Sequence, residues 1–552
     1  MRLKLIFALF LIIYFLIIGK LFYIQVLSPK KTTVDLYLKT KKIYPERGKI
    51  YDRNLLPLVL NQSSYLVYLE PKKIKDEEKL VKILSQELEI EEASLSARID
   101  KNKQWLILVN DISQEKKEKL EKLKIAGIGF EKKMKRLYTE SSLSAHLIGF
   151  VGKNEEGEDV GYFGIEGFYN KDLQGLPGII ESERDIIGRP IFLGLQKEYE
   201  PENGRNLVLT IDKNVQKLVK EELKEGLEKY KAKQGCIIAA DPLTMEIIAL
   251  VCLPDYDPEE YYQFSESYFK NPVVSDVYEP GSIFKPLVVA VAINDKKINP
   301  NDFFYENGPI EIDGNKIKTW DEKYEGKITI TRILEKSSNV GMVYIGEKLG
   351  KKRLYSYLKK FGFGELTNID LQGENSSYLK PFKQWYNIDF ATVTFGQGIA
   401  ITPIQMVRAF SAIINGGNLL KPYLVKKIIS DKETIEIKPK VERKVINNLT
   451  SEILKKMLVS TVENAEIKWN RPKNYKIGGK TGTAQIAIAG HYDPSLTNAS
   501  FIGFFPLEKP KLVILVILRE PRTSPWGSET AGPIFFNLAK KLITYYNILP
   551  GQ

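Results

Sequence analysis

The most strongly apolar stretch in the middle of the chain is residues 286–293, in which no side chain is polar. Apolar side chains at every position, rather than on one stripe, predict a helix that is buried on all sides. Pro280 and Gly281 predict a turn just before it, which places Ser282 at the N-terminus of the helix. Pro286 fits the first turn because an N–H there has no partner within the helix to lose.

Other hydrophobic patterns predict the elements around this helix. Residues 206–211 are typical of a strand, and Asp212 after them is a typical N-cap. The helix that follows has one apolar stripe, made of Val215, Leu218, Val219, Leu223, Leu227 and Tyr230. Residues 237–240 and 246–251 predict a hairpin. The apolar run 512–518 predicts a central strand covered on both faces.

The N-terminal apolar segment, residues 5–27, is long enough to span a bilayer. Lys20 within it can reach the outer interface with its long side chain. A cleaved signal peptide would need a small-residue cleavage site, and none follows. The pattern therefore predicts a cytoplasmic stub and signal anchor at residues 1–28. We expect a single-pass protein of the inner (cytoplasmic) membrane with the bulk of the chain outside the cytoplasm.

The rest of the chain divides into two predicted domains. Residues 29–205 are mixed in character, with a Lys/Glu-rich stretch at about 75–125 that is typical of helices and a Gly-rich segment at 149–188. This part contains no constellation of candidate nucleophiles, so we predict a structural pedestal. Residues 206–552 carry all of the candidate chemistry and form the second predicted domain.

Composition narrows the class of protein. The 552 residues are enough for two to four domains, and the apolar fraction of 43% is ordinary for a folded chain. The formal net charge is +12, but Lys and Glu are interspersed along nearly the whole chain. This favours solvated charged faces over a nucleic-acid site, while it is compatible with attraction to anionic lipid or wall polymer.

The two cysteines, Cys236 and Cys252, exclude a disulfide scaffold or a cysteine-rich metal site. They flank the predicted hairpin almost symmetrically about Thr244. A cross-strand disulfide would form if the register were right and the compartment oxidising. The sequence favours the other alternative, two free thiols in the core.

Candidate chemistry begins at the buried helix. Lys285 lies three residues after Ser282, on the same face of the helix, so its amine can reach the serine hydroxyl. A hydroxyl beside an amine at the positive end of a helix is the arrangement of an activated serine nucleophile. Ser-x-x-Lys also occurs in helices by chance. In that case the serine is simply an N-cap and the lysine lies nearby on the surface. The two histidines, His146 and His491, leave at most one near the predicted site, which argues against a Ser-His-Asp triad.

Two further motifs supply polar groups. Ser337 and Asn339 follow a helix-like run, where a hydroxyl can relay a proton and an amide can hold a substrate carbonyl. Residues 480–483 read Lys-Thr-Gly-Thr after two glycines. Glycine in a strand indicates close approach of another backbone, and an edge strand can align an extended peptide. Read alone, Ser-x-Asn carries almost no signal and is explained by a helix cap, while the Lys-Thr-Gly segment is as compatible with a Gly-rich turn as with a functional site.

Together, Ser-x-x-Lys, Ser-x-Asn and Lys-Thr-Gly, separated by 55 and 143 residues, resemble the motif set of the penicillin-binding transpeptidases. Similarity to the class B, monofunctional branch extends to residues 47–53, 164–167, 210–212, 279–282, 395–398, 402–405 and 499–504. The Ala-Ser-Phe form at 499–501 and the short anchor resemble the division-type, FtsI-like members. One departure is Trp526-Gly527-Ser528, where a double glycine is usual before the last helix.

The resemblance implies an α+β transpeptidase fold, an antiparallel sheet sandwiched by helices, with an elongated, mostly β pedestal and one transmembrane helix. It also implies a serine-type peptidoglycan D,D-transpeptidase that forms 4→3 crosslinks through an acyl-enzyme and is inhibited covalently by β-lactams. The implied catalytic residues are Ser282, Lys285, Ser337, Asn339 and Lys480. The implied substrate-binding residues are Thr481, Gly482 and Thr483. No cofactor or metal is implied.

The implied partners are peptidoglycan stem peptides, a membrane glycan polymerase of the FtsW/RodA type and divisome proteins. The implied cellular role is septal wall synthesis. Alternatives stay open at this point. An elongation- or sporulation-type transpeptidase would share the motifs, and so would a D,D-carboxypeptidase or a β-lactamase. A β-lactamase, however, needs a deacylating water base and neither anchor nor pedestal. From another class, the chain could act as a non-enzymatic activator or scaffold of a glycan polymerase.

Overall fold

The computed structural model describes residues 2–27, 38–183, 196–465, 469, 471–488 and 491–550. The strands in this part of the chain are β1 (Leu38–Ile43), β2 (Ile50–Tyr51), β3 (Pro57–Leu69), β4 (Leu106–Ile112), β5 (Ile128–Tyr138), β6 (Phe150–Lys153), β7 (Asp159–Tyr162), β8 (Gly178–Glu183), β9 (Gln196–Tyr199), β10 (Asn206–Leu209), β11 (Gln234–Ala240), β12 (Ile247–Leu253), β13 (Phe303–Glu306), β14 (Ile310–Ile312), β15 (Asn315–Ile317), β16 (Gly326–Thr329), β17 (Asn418–Leu420), β18 (Val425–Ile429), β19 (Thr434–Glu436), β20 (Val441–Lys444), β21 (Gly478–Ile488), β22 (His491–Phe505) and β23 (Leu512–Arg519).

The α-helices described are α1 (Arg2–Phe22), α2 (Glu77–Leu88), α3 (Glu92–Arg98), α4 (Gln114–Lys122), α5 (Ala145–Ile148), α6 (Gly164–Phe168), α7 (Asn170–Leu173), α8 (Lys213–Tyr230), α9 (Pro272–Ser275), α10 (Lys285–Asn294), α11 (Ile330–Lys336), α12 (Asn339–Leu349), α13 (Lys351–Lys360), α14 (Asn387–Val393), α15 (Pro403–Ile414), α16 (Asn448–Glu463) and α17 (Ala531–Tyr545). The chain divides into two compact units. The first consists of Met1–Arg47 and Gln174–Gly204, and the second of Gly48–Leu173 and Arg205–Gln552.

The first unit contains the N-terminal helix and a small sheet. Residues Lys4–Leu27 have a mean hydropathy of 2.7 and none of them is buried in the protein, so α1 and the π-helical turn after it are long and apolar enough to cross a membrane. The sheet is antiparallel, in the order β1-β8-β9. The helix is where the apolar pattern predicts it.

The second unit contains a seven-stranded sheet that uses strands from both predicted domains. Its order is β19-β18-β10-β2-β3-β4, and β5 also pairs with β3. The long strand β3 pairs antiparallel with both β4 and β5, while β2 pairs in parallel with β10. The strands within residues 50–138 are thus part of one hydrogen-bonded sheet with strands of the C-terminal part. Residues 50–138 hold the helices α2, α3 and α4 as well as strands.

The sheet that positions the chemistry has five strands in the order β12-β11-β23-β22-β21. One face packs against α8 and α17, in a cluster that includes Leu223 and Phe535. The other face packs against the cluster that contains α10 and α15. Strand β23 is central and buried except at Arg519, and β21 is an edge strand, both as the sequence predicts. This is the predicted antiparallel sheet between helices.

Local sequence signals explain one helix on each side of this sheet. The Asp212 side chain accepts hydrogen bonds from the N–H groups of Asn214 and Val215 and so caps α8, whose apolar stripe packs on the sheet. In α10 every residue from Lys285 to Ile293 is buried, which agrees with an apolar pattern that has no polar face.

Two predictions about local structure were wrong in part. The Lys/Glu-rich stretch at 75–125 contains a strand, β4, between its helices. Leu106, Leu108 and Ile112 are the buried residues of this strand, and all three lie on the same face. The strand pairs with β3.

The two cysteines are also not the free thiols that the sequence favours. Cys236 and Cys252 lie directly opposite each other on β11 and β12 and form a disulfide.

Candidate active site

Ser282 lies on a 3₁₀ turn, Gly281–Phe284, immediately before α10 rather than in the helix itself. Gly281 at the start of the turn has φ +58°, a conformation that disfavours any residue with a Cβ. A Cβ there would also lie 3.0 Å from the carbonyl oxygen of Thr483 on β21. The turn that carries Ser282 therefore packs directly on the strand that carries the Lys-Thr-Gly motif.

The segment 395–398 supports the other side of this turn. The Gly281 N–H donates a hydrogen bond to the carbonyl oxygen of Gly396 (2.9 Å), and the Gly398 N–H donates to Glu279 Oε1 (3.0 Å). Gly396 has φ +81°, and a Cβ on it would come within 2.1 Å of the Gly281 carbonyl oxygen. Glycine is therefore required at 396 for the turn to keep its position.

Lys285 is fully buried, and its amine faces the Ser-x-Asn segment. Nζ donates hydrogen bonds to the carbonyl oxygen of Ser337 (2.6 Å), to Ser337 Oγ (3.1 Å) and to Asn339 Oδ1 (2.8 Å). Burial lowers the pKa of Lys285 well below its usual range, and the positive charge of Lys480 lowers it further. The Glu306 carboxylate opposes these effects. The environment favours a neutral amine.

A neutral amine at this position can serve as a base. It keeps two N–H groups for two of its acceptors, and its lone pair can accept the hydroxyl proton of Ser337. The sequence predicts a direct meeting of Lys285 with Ser282. Among the residues that the structure describes, the hydrogen bonds of Lys285 Nζ go instead to Ser337 and Asn339. The geometry thus couples the amine to a second hydroxyl that can relay a proton.

The Ser-x-Asn segment is placed by the junction of two helices. Ser337 ends α11 with φ +62°, an uncommon left-handed conformation for a residue with a Cβ. Ser338 caps α12, since its hydroxyl accepts from the Gly341 N–H (2.9 Å). Asn339 is the first residue of α12, and its Nδ2 donates to the carbonyl oxygen of Lys318 (3.0 Å). The junction turns Ser337 and Asn339 toward Lys285.

A buried ion pair holds this junction, and sequence reasoning missed it. Glu306 and Lys336 are both buried, with Oε2 and Nζ 2.9 Å apart. The Ser338 hydroxyl donates to the other carboxylate oxygen of Glu306. Glu306 ends the short strand β13, and nothing in the local pattern marks it as a buried charge. Only the fold brings it to Lys336, 30 residues later.

Glu306→Gln should destabilise the protein, because it removes the buried counter-charge of the Lys336 ammonium and leaves only the more distant, partly exposed Glu325. We expect a loss of about 3–5 kcal/mol in the free energy of unfolding, measured by urea denaturation. Glu325→Gln is the matched control. Glu325 Oε1 is 3.8 Å from Lys336 Nζ, but its side chain is 37% exposed, so its loss should cost about 1 kcal/mol or less. Equal effects of the two variants would contradict the role assigned to Glu306.

The Lys-Thr-Gly motif lies on the edge strand β21. Lys480 is buried, and its Nζ donates to the carbonyl oxygen (3.2 Å) and to Oγ1 (3.3 Å) of Thr481. Burial lowers the pKa of Lys480 to about 7. A Cβ on Gly482 would lie 2.3 Å from Ser500 Oγ and 2.9 Å from Ile283 Cγ2. The glycine thus makes room for the Ser282 turn and the neighbouring strand, whereas the sequence suggested access for a substrate.

The fourth residue of this motif is held from the opposite face of the sheet. Thr483 Oγ1 accepts a hydrogen bond from the N–H of Gly527 (3.0 Å). A Cβ on Gly527 would lie 2.2 Å from the carbonyl oxygen of Gly482, so this loop rests on the strand backbone. Thr483 is therefore fixed between the Ser282 turn and the loop before α17.

The structure brings the three motifs together at one edge of the sheet. The turn of Ser282 packs on β21, and Lys285 joins that turn to Ser337 and Asn339. A cavity of about 550 Å³ lies alongside, bordered by residues 276–279, by Gln485 and Ile486, and by the Cys236–Cys252 disulfide. None of the eight site residues named from the sequence lines this cavity, so it is separate from the three motifs.

Comparison with known proteins agrees with this architecture. Residues 235–540 match the family model of the penicillin binding protein transpeptidase domain, and residues 42–209 match that of the penicillin-binding protein dimerisation domain. The chain has the fold of a solved penicillin binding protein 2X from Streptococcus thermophilus, with a TM-score of 0.77 and 24% identity over 92% of this chain and 80% of that one. A solved peptidoglycan synthetase from Bifidobacterium adolescentis has a TM-score of 0.74 and 25% identity, over 93% of this chain and 98% of that one.

Curated relatives cover the whole chain. It is 34% identical to the stage V sporulation protein D of Bacillus subtilis, over 100% of this chain and 86% of that protein. It is 28% identical to the peptidoglycan D,D-transpeptidase FtsI of Escherichia coli, over 97% of this chain and 90% of that protein. With a family model that matches more than half of its length and the three motifs at one sheet edge, the chain belongs to the class B penicillin-binding proteins, which are peptidoglycan D,D-transpeptidases.

Proposed function

We propose that Ser282 carries out transpeptidation through an acyl-enzyme. Its Oγ attacks the penultimate D-Ala carbonyl of a donor stem peptide, the Oγ–acyl bond forms, and the C–N bond to the terminal D-Ala breaks. Lys285 takes the serine proton, and the departing D-Ala amine receives it by way of Ser337. The observation that carries this proposal is the buried Lys285 amine, which is hydrogen-bonded to Ser337 and Asn339 beside the Ser282 turn.

The second half of the reaction reverses the proton path. The side-chain amine of a neighbouring stem attacks the ester carbonyl, the ester C–O bond breaks, and the amine's proton returns to Ser282 Oγ. The product is a 4→3 crosslink. A water molecule in place of the amine would give only a shortened stem, as in a D,D-carboxypeptidase. The enzyme's base and relay are the same in both cases, so the acceptor decides the outcome.

Residues on β21 would align the donor. The Lys480 ammonium and the Thr481 hydroxyl would bind the terminal carboxylate of the donor. The strand edge at Gly482 and Thr483 would form main-chain hydrogen bonds with the extended peptide. The N–H groups of Ser282 and Thr483 would form the oxyanion hole, where one donor is typically worth about 3–4 kcal/mol. A β-lactam presents a carboxylate and a reactive carbonyl in similar positions, so it should acylate Ser282.

Lys480 should impose an alkaline limit on acylation by donors that carry a carboxylate. Its pKa of about 7 means that the free enzyme loses this positive charge as the pH rises through 7. We therefore expect kcat/KM for an anionic thioester donor to fall above about pH 7. Lys480→Arg keeps its charge because a guanidinium does not deprotonate in this range, so the alkaline fall should disappear. The same fall in the Lys480→Arg variant would contradict this assignment, and a donor without a carboxylate is the control.

A product analysis tests the transpeptidase assignment itself. The protein is given a stem-peptide thioester with and without a D-amino acid as acceptor, and the products are weighed by mass spectrometry. Transpeptidation predicts that the acyl group moves to the acceptor amine. Release of free acid alone, even with excess acceptor, would favour the hydrolytic alternatives. Absence of any acyl-enzyme would leave the scaffold alternative.

We propose septal wall synthesis as the cellular role, with a glycan polymerase of the FtsW/RodA type and divisome proteins as partners. Similarity to FtsI-type proteins supports it. The 34% identity to a stage V sporulation protein supports a second candidate, wall synthesis during sporulation. Depletion in the source organism distinguishes them. Filamentous cells would support the septal role, whereas normal division with defective spores would support the second.

We also propose that the chain is anchored in the cytoplasmic membrane by α1 with the second unit outside the cytoplasm. The apolar segment Lys4–Leu27 and the disulfide, which forms in oxidising compartments, both support this placement. Protease added outside intact spheroplasts should digest the chain down to the anchor. Protection of the whole chain would contradict the proposed orientation.

A further inference from the structure

Two tryptophans from distant parts of the chain meet next to the motifs. The ring centroids of Trp320 and Trp526 are 5.4 Å apart with an interplanar angle of 63°, an edge-to-face arrangement. The residues are 45% and 37% exposed. Large aromatic side chains that pair while keeping this much exposed surface can also contact a ligand.

Trp320 is anchored to the wall formed by the Ser-x-Asn segment. Its Nε1–H donates a hydrogen bond to the carbonyl oxygen of Lys336 (3.0 Å), the residue just before Ser337. The same loop supplies the Lys318 carbonyl oxygen that holds Asn339 Nδ2. The position of this ring is therefore tied to the position of the proposed proton relay.

Trp526 is anchored to the opposite wall. It directly precedes Gly527, whose N–H donates to Thr483 Oγ1 (3.0 Å), and its own carbonyl oxygen accepts from the Thr530 hydroxyl (2.7 Å). A residue without a ring at position 526 could not make this contact with Trp320, so the pair depends on Trp526.

We propose that the Trp320–Trp526 pair is a specificity-determining aromatic bridge over the end of the cleft where the donor carboxylate would bind. One ring is attached beside Ser337 and the other beside Thr483, so the pair spans the space between the two walls. The bridge would accept a terminal residue with a small side chain, such as the methyl group of D-Ala, and exclude a bulky one. This inference rests on the proposed acylation of Ser282.

The test compares two thioester donors with the same D-alanyl acyl group. One leaves as thioglycolate and the other as the 3-phenyl-2-mercaptopropionate that corresponds to D-Phe. In both, the Ser282 Oγ–acyl bond forms, the C–S bond breaks and the thiol leaves with the serine proton. We expect the wild-type protein to prefer the small leaving group. Trp526→Gly, which removes one ring of the pair, should shift the ratio of kcat/KM values at least tenfold toward the bulky donor.

Matched variants show whether the shift belongs to the bridge. Trp320→Ala should produce the same shift, and Trp526→Phe should keep most of the wild-type preference. Trp105→Gly is the control, because Trp105 is similarly exposed (47%) and packs on Tyr68 in the N-terminal part of the second unit, with centroids 5.7 Å apart. Thermal melting establishes that each variant is folded.

The outcomes separate the two proposals. If all variants acylate with the wild-type ratio, the aromatic bridge is refuted while acylation of Ser282 stands. A shift in the Trp105→Gly variant equal to that in Trp526→Gly would also refute the bridge, since the effect would not be local. If the wild-type protein is acylated by neither donor, the proposed function itself fails.

Discussion

Replacement of Ser282 by alanine is expected to abolish covalent labelling by fluorescent penicillin and to reduce acylation by a thioester donor by roughly 10⁶-fold, the scale seen when a catalytic serine is removed. The reason is chemical, since alanine has no oxygen to form the ester. Ser282 lies on a turn between Gly281 and α10, and a methyl group there replaces a hydroxymethyl group of nearly the same size. The fold should therefore be retained.

Labelling and thermal melting are measured on the same preparations. Ser96→Ala is the control, because Ser96 lies exposed on α3, outside the cleft, where alanine favours the helix. It should label like the wild-type protein. Stoichiometric labelling of a folded Ser282→Ala variant would show that another residue is the nucleophile.

Replacement of Lys285 by methionine is expected to slow acylation by about 10²- to 10⁴-fold, the usual contribution of a general base. Lys285→Arg should be equally impaired, because a guanidinium stays protonated and cannot accept the serine proton. Both variants keep Ser282, so acylation slows without loss of the nucleophile. Stopped-flow acylation with a chromogenic β-lactam measures the rate.

The control for Lys285 is another buried lysine. Lys455 on α16 is buried, donates to the carbonyl oxygen of Glu508 and pairs with Glu452. Lys455→Met removes a buried ammonium outside the cleft, so it should change stability without changing the acylation rate. Near wild-type acylation by Lys285→Arg would contradict the assignment of a neutral amine as the base.

Lys285 should also leave a signature in the pH dependence of stability. Its pKa is lowered in the folded protein, whereas in the unfolded chain it is ordinary, near 10.5. Between these two values the unfolded chain binds more protons, so the free energy of unfolding rises with pH. The cost of burying the charge is largest below the folded-state pKa. In Lys285→Met this part of the rise is absent, and urea denaturation at several pH values measures the difference.

Much of the site could be found from local patterns. The uniform apolar run after Pro286 encodes a helix buried on all sides, and the residues 280–282 encode the turn before it, because both depend on neighbouring residues only. The same holds for Asp212 as a helix cap and for the two apolar runs of the hairpin that carries Cys236 and Cys252. The order and spacing of the three motifs then indicated the family.

What the sequence by itself determined is therefore the set of local elements and the chemical groups they carry. Only the tertiary structure decided which of these groups meet. It directs Lys285 to Ser337 and Asn339, pairs Glu306 with Lys336, makes 106–112 a strand by pairing it with β3, and joins Trp320 to Trp526. The physical reason is that these contacts join residues far apart in the chain, and their energies depend on packing and burial that no local pattern records.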